Sequence, residues 1–199
     1  MLGLLSLLIA YLLGAIPFGY LLVKFTKGED VRASGSGNIG ATNVLRTTGR
    51  AAGVATLVLD ILKGTLAVWL ATWLTDDAPQ WISLAALAVM AGHAYPVFLK
   101  FQGGKAVATF IGAFALLTPL PLAAVMLLFV VTVAVTRHIS AGSILAAATF
   151  PFGVWMILHP PYEITVAAFV AGAFIVHRHK SNWMRLRQGA ENVFTWGRS

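Results

Sequence analysis

The run "LGLLSLLIAYLLGAIPFGYLLV", residues 2–23, decides what kind of protein this is. It carries no charged side chain, and about 20 apolar residues wound as a helix cross the hydrocarbon of a bilayer. No basic segment precedes it, and it is long enough to span, so it reads as a retained helix rather than a cleavable leader. The rest of the chain repeats the pattern. Of 199 residues, 58% are hydrophobic and 11% charged, with a mean hydropathy of +0.82. A soluble domain carries about 25% charged residues. The expected fold is therefore an all-α integral membrane protein. The chain has no cysteine, which excludes disulfides, thiolate catalysis and cysteine-ligated metals.

Working outward from that run, hydropathy predicts seven spans, at roughly 2–23, 51–74, 80–99, 105–117, 121–136, 141–158 and 162–177. "TPLP" at 118–121 divides a run too long for one helix. The fourth span is then short, about half a bilayer, and is expected to be partly re-entrant around "QGGK". Basic residues fix an orientation. Lys24, Lys27, Arg32, Arg46 and Arg50 lie in the first connection, Lys100 and Lys105 in the third, and Arg137 in the fifth. Arg178, Lys180, Arg185, Arg187 and Arg198 lie in the tail, and only Lys63 falls inside a span. Alternate connections ("TDDAP", "TPLP", "HPPYE") carry no Lys or Arg. The positive-inside rule then puts the N-terminus outside and the C-terminus in the cytoplasm. It also accounts for the net charge of +7 without a nucleic-acid partner. No repeat or linker divides the chain, so residues 1–199 are expected to form a single membrane domain.

Four polar segments fall on the expected cytoplasmic side. The first is "SGSGNIGATNVLR", residues 34–46, where glycines 35, 37 and 40 allow backbone amides to converge as an anion nest. Ser36, Asn38, Thr42 and Asn43 add neutral donors, and Arg46 and Arg50 share a face if one helix carries both. It is not a Walker loop, because the lysine is missing, and a flexible surface loop is the competing reading. The second, "GHAYPVFLKFQGGKAVAT", residues 92–109, places Gly103, Gly104 and Lys105 just ahead of an apolar helix. A helix N-terminus binds phosphate, and Lys105 adds a point charge, although it could also snorkel to lipid headgroups. His93 at its start is either a packed residue or a reacting one. The third, "TRHISAGS", residues 136–143, brings Arg137, His138, Ser140 and Ser143 to the same side, with Ser140 explained as a helix cap. The fourth, "HRHKSNWMRLRQGAEN", residues 177–192, sets His179, Asn182 and Arg185 three apart on one stripe. Its competing reading is a basic tail on the anionic leaflet, with Trp183 and Trp196 at the interface. Asp60 and Lys63, three apart inside the second span, are expected to form an ion pair. Carboxylates for a magnesium site are lacking near the motifs, so no metal and no cofactor is expected. Positioning and charge stabilisation remain as the chemistry.

"SGSGNIGATN", "GHAYPVFLKFQGGKAVAT" and "HKSN" with its following "RL", Gly189 and Glu191 resemble the three cytoplasmic motifs of the bacterial acyl-phosphate:glycerol-3-phosphate acyltransferases, the PlsY family. "LDILKG" at 59–64 resembles that family's second span, and the likeness runs along essentially the whole chain. The resemblance implies a seven-helix enzyme of the bacterial inner membrane with a cytoplasm-facing site. Its substrates would be acyl phosphate and glycerol 3-phosphate, its products lysophosphatidic acid and phosphate. Membrane lipids are its other partners; oligomeric state stays open, a monomer included. Ser36, Asn38, Thr42 and Asn43 match the first motif, Gly103, Gly104 and Lys105 the second, with His93 at its start. His179, Asn182, Arg185, Gly189 and Glu191 match the third. Two positions depart from the pattern: Ala106 stands where glycine is usual, and Lys180 where arginine is usual.

On this resemblance His179, Asn182, Lys105 and Thr42 are the catalytic candidates. Ser36, Asn38, Asn43, Arg46, His93, Gly103, Gly104, Ser143 and Arg185 are the substrate-binding ones. The glycine amides with Lys105 and Thr42 would cradle the acyl phosphate, completed by Asn182 and His179. Arg46, with Arg185 or Lys180, would hold the glycerol 3-phosphate. The acyl chain would enter sideways between helices. The base is His179, His93 or an oxygen of the donor phosphate, and the scarcity of carboxylates favours the last. A membrane carrier for phosphorylated metabolites is the competing class, because it too can use broken helices and cationic sites.

Overall fold

The computed structural model describes residues 1–195, so the predicted tail positions Trp196 and Arg198 lie outside the described residues. Every regular element among them is helical. They divide into two compact units, Met1–Ala113 and Phe114–Thr195.

The first unit opens with a departure from expectation. The run at 2–23 is not one helix: α1 spans Leu2–Ala15 and α2 spans Phe18–Lys27. Pro17 has no N–H to donate and its ring disfavours helical backbone at the residue before it. Ile16 is accordingly extended, at φ −64° and ψ 113°. A single-turn helix at Val31–Ala33 and α3 (Ala41–Thr48) follow, then the long α4 (Arg50–Leu74) and α5 (Pro79–Ala94). A second turn at Val97–Leu99 leads to α6 (Val107–Leu117). α6 starts just after "QGGK", where the sequence predicts a helix N-terminus. α5 is shorter than its predicted span because Tyr95 and Pro96 end it.

Glycine pairs set how closely these helices approach. A Cβ on Gly14 of α1 would strike the Val89 carbonyl of α5, and one on Gly92 of α5 would strike the Tyr11 carbonyl of α1. Gly64 of α4 and Gly112 of α6 meet the Thr109 and Ile61 carbonyls in the same reciprocal way. Small residues at helix contacts are how helices associate in lipid, where apolar area gives no net drive.

In the second unit, α7 (Pro119–Thr136) begins at the predicted "TPLP" break. Its prolines sit in the first turn, where no N–H is needed. α8 (Ile139–Gly153) runs into a wider π-type stretch at Val154–Leu158, next to Pro151, whose missing N–H loosens the ladder. α9 (Tyr162–Arg178) and the short α10 (Lys180–Arg187) complete it. Phe114 and Phe150 meet edge to face at 5.0 Å in its core.

Large apolar side chains stand on the outside: Trp73 is 72% exposed, Leu127 67% and Val135 79%. Among the described residues, five helical stretches are long and apolar enough to cross a membrane: Leu2–Lys27, Arg50–Leu74, Pro79–Leu99, Pro119–Thr136 and Ile139–Leu158. α6, at 11 residues, and α9, at 17, are shorter.

Candidate active site

The first polar loop is organised by one side chain. Asn43 in α3 is 2% exposed. Its Oδ1 accepts from the Ser36 amide at 2.8 Å. Its Nδ2 donates to the carbonyls of Asn38 (2.9 Å), Ser34 (3.1 Å) and Val31 (3.3 Å). Asn38 in turn accepts from the Gly40 amide with its Oδ1 at 2.8 Å, an Asx turn that leads into α3. The Gly37 amide bonds the Ser34 carbonyl. The expected anion nest is therefore not open: the Ser36, Gly37 and Gly40 amides already have protein acceptors, and Asn43 is a hub of the loop. What faces outward is Ser36 and Arg46, both exposed, with Thr42 half-buried. Arg46 and Arg50 do not share a helix face. Gly49, at φ +111°, ends α3 and starts α4 between them. Arg32 is engaged by Asp30 (Nη2–Oδ2 2.7 Å), and that hydrogen bond holds the Asp30 carboxyl below the usual carboxylate range.

The second motif is held by backbone. The last carbonyls of a helix lack intrahelical partners. Here the Gly104 amide donates to the His93 carbonyl (3.1 Å) and the Gly103 amide to the Ala94 carbonyl (3.2 Å), closing the end of α5. The expectation that these two amides cradle phosphate is not met, because they cap a helix. Both glycines are needed for room: a Cβ on Gly103 would strike the His93 carbonyl, and one on Gly104 the His93 ring at Nε2. Lys105, half-buried, follows directly. Left-handed backbone at non-glycine residues clusters here, at Lys100 (φ +53°), Phe101 (φ +62°) and Ala106 (φ +61°). Such conformations are strained for side chains bearing a Cβ. Ala106 thus occupies a backbone position suited to glycine.

Beneath this loop the predicted ion pair is present. Lys63 Nζ lies 2.8 Å from Asp60 Oδ1, with both side chains 2–3% exposed. Two further links join it. Lys63 also donates to the Ile16 carbonyl at 2.8 Å, beside the Pro17 break. His93, 4% exposed, places Nδ1 3.6 Å from Asp60 Oδ1. Sequence spacing gave the Asp60–Lys63 pair but not these two partners, which lie 33 and 47 residues away in the chain. An apolar cleft of about 280 Å³ opens between Ile16, Pro17, Tyr20, Leu21, Phe98 and Leu99 in the same unit.

In the second unit, the third motif centres on Glu191. Its Oε1 accepts from Asn182 Nδ2 (2.7 Å) and its Oε2 from Arg185 Nε (2.8 Å). Asn182 and Arg185 thus share a face, as their spacing predicts. Gly189, at φ +66°, turns the chain after α10 so that Glu191 returns to them. Burial opposes the ionised form of Glu191, but the Asn182 and Arg185 donors outweigh it and hold the carboxyl below its ordinary value. The sequence alone assigns Glu191 no role of its own, yet it engages two predicted site residues. His179, 3% exposed, joins α9 to α10, and its Nδ1 donates to the Ile175 carbonyl at 2.8 Å. In the neutral ring this fixes the basic nitrogen as Nε2. Ser143 is buried and spends its hydroxyl on the Ile139 carbonyl of its own helix. Ser140 is not a cap: it lies inside α8, whose cap residue is His138. The segment after α10 is tied down where the Phe194 amide meets the Arg137 carbonyl (2.7 Å) and His138 Nδ1 meets the Asn192 carbonyl (3.1 Å). Trp183 is 53% exposed.

Long apolar helices, buried charges inside them, and polar loops rich in Thr, Asn, Lys and Arg define a multi-pass membrane protein. The chain belongs to the glycerol-3-phosphate acyltransferase family, whose model matches residues 4–189. A glycerol-3-phosphate acyltransferase of Desulforamulus reducens is 48% identical over 92% of this chain and 90% of its own length. One of Geobacter sulfurreducens is 46% identical over 94% of each. Among solved structures, PlsY (YgiH), an integral membrane glycerol 3-phosphate acyltransferase in its glycerol 3-phosphate form, has a TM-score of 0.91 and 36% identity. That match covers 97% of this chain and 96% of the other. The same protein in its lysophosphatidic acid form has a TM-score of 0.87 at 34% identity.

Proposed function

We propose that this protein transfers an acyl chain from acyl phosphate to the 1-hydroxyl of sn-glycerol 3-phosphate, giving lysophosphatidic acid and inorganic phosphate. The observation that carries the reading is family membership over residues 4–189, joined to a near-complete structural likeness to PlsY in its glycerol 3-phosphate and lysophosphatidic acid forms. In the reaction, the glycerol hydroxyl oxygen attacks the acyl carbonyl carbon. The bond from that carbon to the phosphate oxygen breaks, and phosphate leaves with the electron pair. The hydroxyl proton passes to a base.

Residues 1–199 act as one acyltransferase domain. Seven helices cross the bacterial inner membrane, with the N-terminus outside and the polar motifs facing the cytoplasm, as the distribution of Lys and Arg supports. Lys105 and Thr42 bind the donor phosphate, with Asn182 and His179 assisting. Arg46 and Ser36, both exposed, and Arg185 receive glycerol 3-phosphate. Arg185 spends one of its five N–H donors on Glu191, so four remain for a phosphate. Gly103, Gly104, Asn38 and Asn43 serve by shaping the loops rather than by touching substrate. The base is a donor phosphate oxygen. The apolar cleft beside Pro17 supports entry of the acyl chain from the bilayer.

Purified protein is given palmitoyl phosphate with and without glycerol 3-phosphate in chelator-containing, magnesium-free buffer. Phosphate release that requires glycerol 3-phosphate, yields lysophosphatidic acid and falls about a thousandfold in Lys105→Ala is expected. Counterflow of glycerol 3-phosphate in liposomes without product would sink the enzyme reading in favour of a carrier. His179→Ala that loses the acidic limb of the pH–rate profile, where the base must give up its proton to act, would make histidine the base.

A further inference from the structure

We infer that Asp60 and Lys63, two buried charges on α4 outside every polar motif, are positioning residues for acyl transfer, and that His93 passes their position to the segment bearing Lys105. The inference rests on the acyltransferase reading above. Two opposite charges inside a membrane helix are expensive, and a buried pair replaced by neutral side chains is often no less stable. A pair that merely neutralised itself would need no third partner. This one has two. Lys63 donates at 2.8 Å to Ile16, whose carbonyl stands at the Pro17 break. Asp60 faces His93 Nδ1 at 3.6 Å.

His93 is then held at both ends. Its ring lies against the backbone of Gly104, with no space for a methyl group between them, and its carbonyl accepts the Gly104 amide. Lys105 is the next residue. A shift of Asp60 therefore moves His93, and a shift of His93 moves the loop through two separate contacts. The segment's left-handed residues, Lys100, Phe101 and Ala106, are strained and persist only if neighbours hold them. The Asp60–His93 contact and the two glycine amides supply that hold. Asp60 and Lys63 themselves touch no substrate in this scheme.

The test is the double variant Asp60→Asn/Lys63→Met, with Asp60→Asn alone and Asp60→Glu beside it. Each is measured for thermal unfolding and for kcat and KM in the phosphate-release assay. Asp60→Asn alone leaves a buried cation unpaired and melts well below wild type. The double variant melts close to wild type, yet its kcat falls by about 10- to 100-fold with KM for glycerol 3-phosphate within about threefold. Asp60→Glu keeps the charge pair but moves the carboxylate by about one bond length, and its kcat falls about tenfold. A double variant with wild-type kcat overturns the inference. So does one whose loss matches its unfolded fraction, or one that raises KM alone. If the double variant does not fold, Asp60→Glu decides: wild-type kcat there overturns it. An inactive wild type overturns the acyltransferase reading and this inference with it, whereas an active wild type beside a fully active double variant overturns only the inference.

Discussion

The two glycine-rich loops of the first unit look alike in composition and are built by opposite means. In residues 31–43 a side chain organises the backbone: Asn43 gathers one amide and three carbonyls. In residues 93–105 the backbone organises itself: two glycine amides close the end of α5, and the missing side chains make the approach possible. Neither loop leaves those amides for an anion. Glycine density signals backbone freedom, and its use is decided by which carbonyls lie nearby. In the proposed reading, ligand recognition falls to side chains at the margins of each loop, Ser36, Thr42 and Arg46 in one and Lys105 in the other.

Substitutions at four positions sharpen this contrast. The largest effect belongs to the side-chain hub. Asn43→Ala strands the Ser36 amide and removes the donors to three carbonyls, so it is expected to cost about 2–4 kcal/mol. Thermal unfolding in detergent measures it, and Asn43→Asp, which loses the donors while keeping the acceptor, will not restore the loss. A neutral Asn43→Ala would break the comparison. Gly104→Ala comes next, at about 1–3 kcal/mol, because its methyl group must displace the His93 ring. Its kcat is expected to fall further than its stability predicts.

Which of these features were legible in the sequence follows from their range. The long apolar helices, the turn at "TPLP", the start of α6 after Lys105 and the Asp60–Lys63 pair all follow from near neighbours, through hydropathy, proline or helical spacing. The Pro17 break was also local, yet the apolar run around it masked it, since hydropathy is blind to a missing N–H. The partners of the glycine amides were not legible, because those carbonyls belong to the far end of another element. The same holds for His93 against Asp60, and for Lys63 against Ile16. Arg46 and Arg50 failed as a shared face because Gly49 breaks the helix that would align them.

The third motif offers a charged counterpart to Asn43, with a smaller effect. Glu191 is held below its ordinary pKa in the folded protein. Its stabilisation is therefore complete above the ordinary glutamate value of about 4.3 and is lost as pH falls below that toward the folded value. Glu191→Gln is expected to lower stability at neutral pH by about 1 kcal/mol, since Arg185 is partly exposed and the Asn182 bond survives. Melts of the two proteins are expected to converge as pH drops through that window; parallel curves would exclude Glu191 as the titrating group. The smallest effect lies at Ala106. Its left-handed backbone is easier for glycine by about 1 kcal/mol in the folded state, and glycine gives back part of that in the unfolded chain. Ala106→Gly is therefore expected to move the melt by at most a few degrees upward, and a clear drop would show that the buried methyl packs more than it strains.

The reciprocal glycine contacts between α1 and α5, and between α4 and α6, have a consequence for tolerance to change. Joints in which one helix rests directly on another's carbonyls behave like dovetails: they resist sliding, and a single added methyl group acts as a wedge. Stability at Gly14, Gly92, Gly64 and Gly112 is therefore set by backbone fit, and greasier lipid-facing residues leave that fit unchanged.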